Sequence, residues 1–353
     1  MGEAQILRKG FRETMDVDAS IVDFPKVISD LEKEPIVDRF APRTSAFGTI
    51  TSAANMSGVN IFGIDPEREK YLSVLKRSVS KGEYFSGDNP RDLLIGEKLA
   101  DVLDVGLGDR IVLTVAQSGS GEIAQELFRV SGIFDFGERP MNAGAVFIRL
   151  DKSREMLNIG ESAHMIAIKF TDPKMSEDAS LPFWSNYSKN GNEAVSWEKI
   201  FPQLVSMFSM LSVLKLVLSF MLMGVVVFVI LNTLFMALYE RIFEFGVLKA
   251  IGTRPWAIAK LLMFEAGALA IISIAIGALL GLGITALVGK IGIDYSGIEF
   301  GGITMREKIY PVLTLWQFIA YPIGVFLFTV IVGTYPALHA ARLEPAEALR
   351  KSM

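Results

Sequence analysis

Three apolar runs in the second half of the chain constrain it most. The first, Leu216–Leu238, is interrupted only by Ser219, Asn232 and Thr233; the second, Ala266–Gly289, carries no charge; the third, Phe318–Gly333, extends back to Leu313. A helix needs about 20 residues, rising 1.5 Å each, to cross the hydrocarbon of a bilayer. A buried core helix is the alternative for any one such run, but three in close succession point to membrane spans. Lipid offers no hydrogen bonds to a backbone, so each span is expected to be an α-helix.

The connections between the runs carry the orientation. Tyr239–Lys260 holds four basic residues (Arg241, Lys249, Arg254, Lys260), and the tail after the third run holds Arg342, Arg350 and Lys351. The connection Lys290–Val312 also has three, but Asp294, Glu299 and Glu307 balance them. The excess places the first connection and the C-terminus in the cytoplasm, with 290–312 and everything before Leu216 outside. Gly277 and Gly281 form a small-xxx-small step, with Gly283 close by, which permits close packing of helices and needs no chemistry. Glu265, at the cytoplasmic mouth of the second run, has two readings, reaching the membrane interface or forming an ion pair, and the first is the commoner.

Charge divides the chain in the same way. Residues 1–200 hold 24 Lys and Arg against 31 Asp and Glu, a net of −7, whereas 201–353 hold 11 against 8, a net of +3. That asymmetry predicts two environments. No spanning run occurs in residues 1–200, where strand-like and helix-like patterns alternate. Arg110–Ala116 and Glu126–Phe134 are rich in β-branched and aromatic residues and read as strands, as do "GAVFIRL" and "HMIAIKF". "QSGSGEI" between the first two is a turn-rich connector. Gly96–Val105 places Leu99, Val102 and Leu103 at helical spacing. The expectation is an α+β domain over 1–200, a stalk helix over 201–215, and an α-helical membrane bundle over 216–353, with spans near 216–238, 266–289 and 313–335 and a cytoplasmic tail at 337–353.

Reactive constellations are absent from the sequence. Gly289-Lys290 is followed by Ile291, so there is no phosphate-binding loop, and neither HExxH nor GxSxG occurs. Without cysteine there is no disulfide and no thiolate metal site. His164 and His339 are isolated and read as surface or capping residues. Asp65, Asp109 and Asp135 stand at strand–turn boundaries beside Gly or Pro and read as turn residues.

The connection Tyr239–Ile258, "YERIFEFGVLKAIGTRPWAI", is too charged for lipid and too apolar to lie idle in water. An amphipathic helix on the lipid surface is one reading. The alternative is a helix that docks into a partner's groove, with Phe243, Phe245 and Leu248 as anchors, Gly252 ending it, and Thr253 capping the next helix ahead of Pro255.

This stretch resembles the cytoplasmic loop of FtsX-like permeases, with its Glu-Arg, Glu-x-Gly and Ala-x-Gly pattern. "YPALHAARLEPAEALRKS" is similar to the C-terminus of that family; "GIDPERE", "KGEYF", "IGEKLADVLDVGLGDRIVLT" and "FRVSGIFDFG" resemble its extracytoplasmic domain, and "SWEKIFPQL" resembles the lead into the span that follows. The resemblance covers nearly the whole chain and implies a type VII ABC transporter permease of the MacB and LolC/LolE kind, with a MacB-like periplasmic core domain and a multi-pass location in the bacterial cytoplasmic (inner) membrane. It implies a non-catalytic subunit that binds no cofactor itself, while a separate cytoplasmic ATPase uses ATP and Mg. The coupling helix would then comprise Glu240, Arg241, Phe243, Glu244, Phe245, Gly246, Leu248, Lys249 and Gly252. Further implied partners are a second permease copy or paralogue and membrane lipid, with a periplasmic carrier or adaptor left open and no nucleic acid. The implied mechanism is mechanotransmission, for lipoprotein release or export of an amphiphile; an FtsX-type scaffold that activates a cell-wall hydrolase is the alternative.

Two departures from the family pattern bear on these expectations. The family has four spans, with the large domain between the first two, and "MGEAQILRKGFRE" is neither a signal nor a span, so the expectation is a first span missing from this sequence. The connector "AQSGSGEIAQEL" is short and lacks proline, where the carrier-recruiting permease has a long hook loop with a Pro-Met-Gly turn. That puts carrier recruitment in doubt.

Overall fold

The architecture was analysed in a computed structural model that describes residues 2–85, 87, 89–294, 299–300, 303–304 and 308–342. The sequence motif after Arg342, with Arg350 and Lys351, lies outside the described residues, as does Glu307. The chain divides into two compact units, one built on Met1–Ser206 and the other on Met207–Ser296 together with the stretch that contains the last helix.

The first unit is a mixed α+β domain. Its strands are β1 (Ala4–Arg8), β2 (Val37–Thr51), β3 (Met56–Ile64), β4 (Val79–Gly82), β5 (Asp92–Gly96), β6 (Arg110–Ala116), β7 (Ile123–Phe134), β8 (Ala145–Arg149), β9 (Met165–Phe170) and β10 (Asn192–Ser196). They form one sheet in the order β10-β1-β9-β2-β3-β8-β5-β7-β4, with β6 joining β2 to β7. The pairs β3–β8 and β5–β7 are parallel and the others antiparallel. Helices α1 (Phe24–Leu31), α2 (Glu97–Leu103), α3 (Leu150–Leu157) and α4 (Pro182–Tyr187) are interleaved with the strands.

The 15-residue β2 organises the sheet. Along one edge it pairs first with β9, through Arg43, and then with β6, from Gly48; β3 lies along its other edge. One long strand therefore serves two cores. Ile50, Ile61, Leu113, Phe128 and Ile148 belong to the larger. Ile6, Phe24, Ile166, Phe170 and Phe183 belong to another, where α1 and α4 cover β1 and β9. In α2, Leu99 and Leu103 point inward one helical turn apart, whereas Val102, expected on the same face, is exposed.

The β6–β7 connector is a closed turn. Gln117 N–H donates to the Glu122 carbonyl at 2.8 Å, and the turn is tied back to the domain by Ser118 N–H to the Leu157 carbonyl at 2.9 Å. The Asp18 carboxylate accepts from Ser118 Oγ at 2.7 Å and from Gly119 N–H at 2.8 Å, and these bonds hold its pKa below the ordinary carboxylate value.

His164 corrects an expectation. It is fully buried rather than superficial, and its ring stacks on Phe11 with centroids 5.1 Å apart. Ser45 N–H donates to Nδ1 at 3.1 Å, so Nδ1 is unprotonated and Nε2–H donates to the Val17 carbonyl at 2.9 Å. Burial lowers its pKa below 6.5, outweighing the Val17 bond and nearby Asp16. The local signal in the sequence is "SAHMIAIKF", which puts His164 directly before a buried strand.

The second unit contains four helices among the described residues: α5 (Pro202–Glu240), α6 (Ile242–Ala250), α7 (Pro255–Ile291) and α8 (Gln317–Arg342). Three of them, α5, α7 and α8, are long and apolar enough to cross a membrane. Each extends beyond its apolar run on at least one side. Helix α5, at 39 residues, is about 58 Å long at 1.5 Å per residue, well beyond the ~30 Å hydrocarbon thickness. Helix α8 starts at Gln317, so Leu313–Trp316 of the expected third span are not helical.

Two outcomes are expected. Expressed alone, residues 1–206 should remain soluble and melt in one cooperative transition, because their buried cores are built from residues of this unit alone; aggregation under all conditions would contradict this. For His164 the folded pKa is depressed, so its stabilising contribution is full above the unfolded value of 6.5 and is lost as pH falls below it. Melting temperature should therefore drop more in wild type than in His164→Gln between about pH 7.5 and about pH 5.5.

Candidate coupling site

The site is built where the chain leaves one long helix and enters the next. Helix α5 ends at Glu240, and Arg241, with φ −108° and ψ 16°, breaks the helical path before α6 begins at Ile242. Its guanidinium holds the break. Nε donates to Glu244 at 3.0 Å, Nη1 reaches both Glu265 oxygens at 3.1 and 3.3 Å, and the group lies 5.5 Å from the Phe245 ring centroid. Glu265 is thus an ion-pair partner on α7, not a side chain reaching for the interface. A planar, always-charged fork can satisfy both carboxylates from one position, which a lysine ammonium cannot do with the same rigidity.

The other end of α6 is closed by backbone geometry. Gly252, at φ +96°, follows the capping residue Ile251. Gly252 N–H donates to the Lys249 carbonyl and Thr253 N–H to the Leu248 carbonyl, both at 3.0 Å. This pair of bonds is a Schellman motif, which favours glycine at the left-handed position. The next helix is capped by Arg254, not Thr253, with Pro255 opening its first turn. Lys249 Nζ donates to the Ala341 carbonyl of α8 at 2.8 Å. Helix α6 is therefore tethered to α7 at its start and to α8 near its end.

Burial sorts the expected anchors into two groups. Phe245 is 1% exposed and packs with Leu238 of α5, Ile258, Ala259 and Leu262 of α7, and Ala337, Ala340 and Ala341 of α8. The sequence reading took Phe245 as an exposed anchor; in the structure it is the plug of the unit's own core. Leu248 is half-buried against the same cluster, and Gly246 is buried. Phe243 stays outside, 47% exposed, and Val247 (38%) and Ile251 (74%) stand with it. Their spacing of four residues puts the three on one helical stripe. Glu240 and Glu244 are exposed beside it, as is Trp256 in the first turn of α7. The sequence does not single out Val247 and Ile251 as exposed, because nearly every position of this helix is apolar or charged and the inward and outward faces look alike in composition. The i, i+4, i+8 repeat beginning at Phe243 was the available signal.

Nothing in this arrangement is reactive. Asp65, Asp109 and Asp135 occupy three separate turns. Asp65 accepts from Glu67 and Arg68 N–H, Asp109 from Gly106 N–H at 2.8 Å, and Asp135 from Gly137 N–H at 2.8 Å. Among the described residues, no group of three or more His, Asp or Glu side chains could hold a metal ion. Gly277 and Gly281 line an apolar groove of about 940 Å³ among α5, α7 and α8, and no atom of another helix lies within 4 Å of where their side chains would begin.

Residues 216–345 match the FtsX-like permease C-terminal family, and residues 6–180 match the MacB-like periplasmic core domain family. The chain belongs to the FtsX-like permeases. It is an ABC transporter permease of the LolC/LolE and MacB type, and it carries a MacB-like periplasmic domain ahead of its membrane helices. It is 22% identical over 300 residues to the lipoprotein-releasing system transmembrane protein LolC of Xylella fastidiosa, covering 82% of this chain and 72% of the relative. It is 20% identical over 338 residues to LolE of Haemophilus influenzae, covering 90% and 79%. The periplasmic region of MacB from Actinobacillus actinomycetemcomitans aligns in structure at a TM-score of 0.39 and 15% identity, over 57% of this chain and 91% of that one.

The two faces of α6 should respond differently to truncation. Phe245→Ala should destabilise the full chain in detergent by about 3–5 kcal/mol, the usual cost of removing a buried phenylalanine. Phe243→Ala should leave its melting temperature nearly unchanged. Equal melting shifts for the two would refute the assignment of inner and outer faces.

Proposed function

We propose that this permease couples ATP binding and hydrolysis in a separate cytoplasmic ATPase to movement of its extracytoplasmic domain. The observation that carries the reading is α6 itself: an exposed apolar stripe, Phe243–Val247–Ile251, on a helix tethered by Arg241–Glu265 and Lys249–Ala341 to two long helices. A groove in the ATPase takes the stripe, and Glu240, Glu244 and Arg254 form its charged rim. Because Phe245 locks α6 into the packing of α5, α7 and α8, a displacement of the helix moves their ends with it. No rearrangement within the coupling element is needed to pass the motion on.

The chain acts as a subunit of a dimer in the bacterial inner membrane, paired with a second copy or a paralogue, with its MacB-like domain on the periplasmic side. The excess of basic residues in 239–260 supports that orientation. ATP and Mg belong to the partner's chemistry; the permease supplies shape and stiffness. Its substrate class is lipoproteins or other amphiphiles, a reading supported by the LolC and LolE relatives, whose names carry the lipoprotein-releasing role. The β6–β7 turn, tied to Asp18 and Leu157, leaves no projecting hook for a carrier at that hairpin.

Co-purification of the ATPase in detergent tests the coupling. Truncating Phe243 or Ile251 to Ala should weaken docking by about 2 kcal/mol, as for central residues of an interface. Glu244→Lys should mainly change the salt sensitivity of docking, since rim charges steer more than they hold. If the ATPase is retained equally by wild type, Phe243→Ala, Val247→Ala and Ile251→Ala, this stripe is not the docking surface. If no ATPase associates even with wild type, α6 is instead a helix that rests on lipid.

A further inference from the structure

Two of the hydrophobic cores in the first unit face each other without closing. One gathers Leu75 and Phe147 with half-buried Phe62, Phe136 and Met141; the other gathers Phe11 and Ile200 with half-buried Met15, Met165 and Phe201. Between them lies a cavity of about 570 Å³ walled by both sets. Apolar surfaces separated by water are normally drawn together. What stands in the way here is a paired charge lining the same cavity. Arg43 on β2 and Glu69, in the short helix after β3, meet in a two-pronged contact, Nε to Oε2 at 2.9 Å and Nη2 to Oε1 at 2.7 Å, and both are buried. Such a fork is directional and rigid, so its two anchoring segments cannot slide together to fill the gap without breaking it.

The chemistry of the lining selects a ligand class. The Arg43–Glu69 pair neutralises itself, and Arg12 at the edge is committed to the carbonyls of Lys199 and Ile200 at 2.9 and 2.6 Å. Glu138 is the remaining charged residue of the lining and balances Arg12 in sign, so the walls carry no net charge for a free ion. They offer phenylalanine rings, which present flat apolar faces, and three methionines, whose unbranched side chains adapt to a ligand of variable shape. The volume falls within the ~300–1,000 Å³ of small-molecule sites, which are mostly apolar with a few polar groups.

We infer that this cavity binds the apolar chain of a monomeric amphiphile, with the head group at the mouth beside Ser73 and the exposed Val74. Occupancy replaces water against the half-buried rings and thioethers. It also contacts Ile200 and Phe201, the two residues immediately preceding α5, so a bound chain restrains the segment through which the domain continues into its helix. The site is separate from the coupling stripe, and no ATPase takes part in its test.

The experiment uses the full chain in phosphatidylcholine vesicles, with a lysophosphatidylcholine bearing a diazirine at the end of its chain. After irradiation, adducts are located by peptide mass spectrometry. Adducts are expected on peptides containing Met141 or Met165, as well as on the long helices. Val74→Trp and Ser73→Phe, which place bulk at the mouth, should each lower the Met141 and Met165 adducts several-fold while leaving helix adducts unchanged, and excess unlabelled lysophosphatidylcholine should do the same. Adducts confined to residues 207–342 in wild type would overturn the proposal without reference to any variant. So would Met141 and Met165 labelling that neither substitution nor competitor reduces.

Discussion

Lipid cannot hydrogen-bond a peptide group, and the second unit follows from that constraint. Each long apolar run must largely satisfy its own backbone, so α5 and α7 are uninterrupted helices and α8 stays helical through Pro322 and Pro336, which each remove one intrahelical donor. All the abrupt geometry of the α5–α7 connection falls between Glu240 and Pro255: the break at Arg241, the left-handed Gly252, and the Schellman closure. The charges that hold this segment, Arg241, Glu265 and Lys249, lie in the same place. This segment combines exposed apolar side chains with charge, which is why the proposed docking role falls on it.

Much of the architecture was legible because it rests on local periodicity. The strand at Arg110–Ala116 was readable from its own β-branched residues, and the membrane helices from length and lack of charge. Gly252 was legible because a left-handed terminal position selects its residue chemically. The facing of α6 was not. Phe243 and Phe245 are two residues apart and nearly equal in character; the Phe243–Val247–Ile251 repeat marks a face, but not whether that face is the one that meets Ala337 and Ala340 more than ninety residues away. Small residues on α8 make room for one ring, and the helix turns so that Phe245 takes it. Glu265 was misjudged for a related reason: its partner is 24 residues distant and is fixed only once α5 has ended. His164 illustrates the same limit in the outer unit, since its burial depends on Phe11, Val17 and Ser45 converging from elsewhere in the chain.

The outer unit is organised by a different constraint. A strand as long as β2 passes beyond the reach of any one core, so its two halves are covered separately and the domain acquires several cores joined through one ribbon of hydrogen bonds. That construction is stiff along the strand and tolerant of gaps between cores. Arg43 sits where β9 gives way to β6 along β2, and its pairing with Glu69 fixes the spacing at that junction. A buried ion pair of this kind adds little net stability over an apolar substitute, but removing one partner strands a buried charge at a cost of about 3–5 kcal/mol. Its role is better understood as setting distance.

The two units thus solve opposite mechanical problems. In the membrane unit, Phe245 and the Lys249–Ala341 bond make α6 one body with the ends of three helices, so that force applied to a small stripe is not absorbed locally. The tether is asymmetric: the contact to α7 is an ion pair exposed at about 40%, whereas the contact to α8 is a lysine ammonium on a part-buried backbone carbonyl. Water and salt weaken the first more than the second. Packing makes up the difference at α7, where Ile258, Ala259 and Leu262 share the buried cluster of Phe245. For the proposed coupling role, a helix held to both neighbours by packing as well as by polar contacts would pass a displacement of its stripe to both.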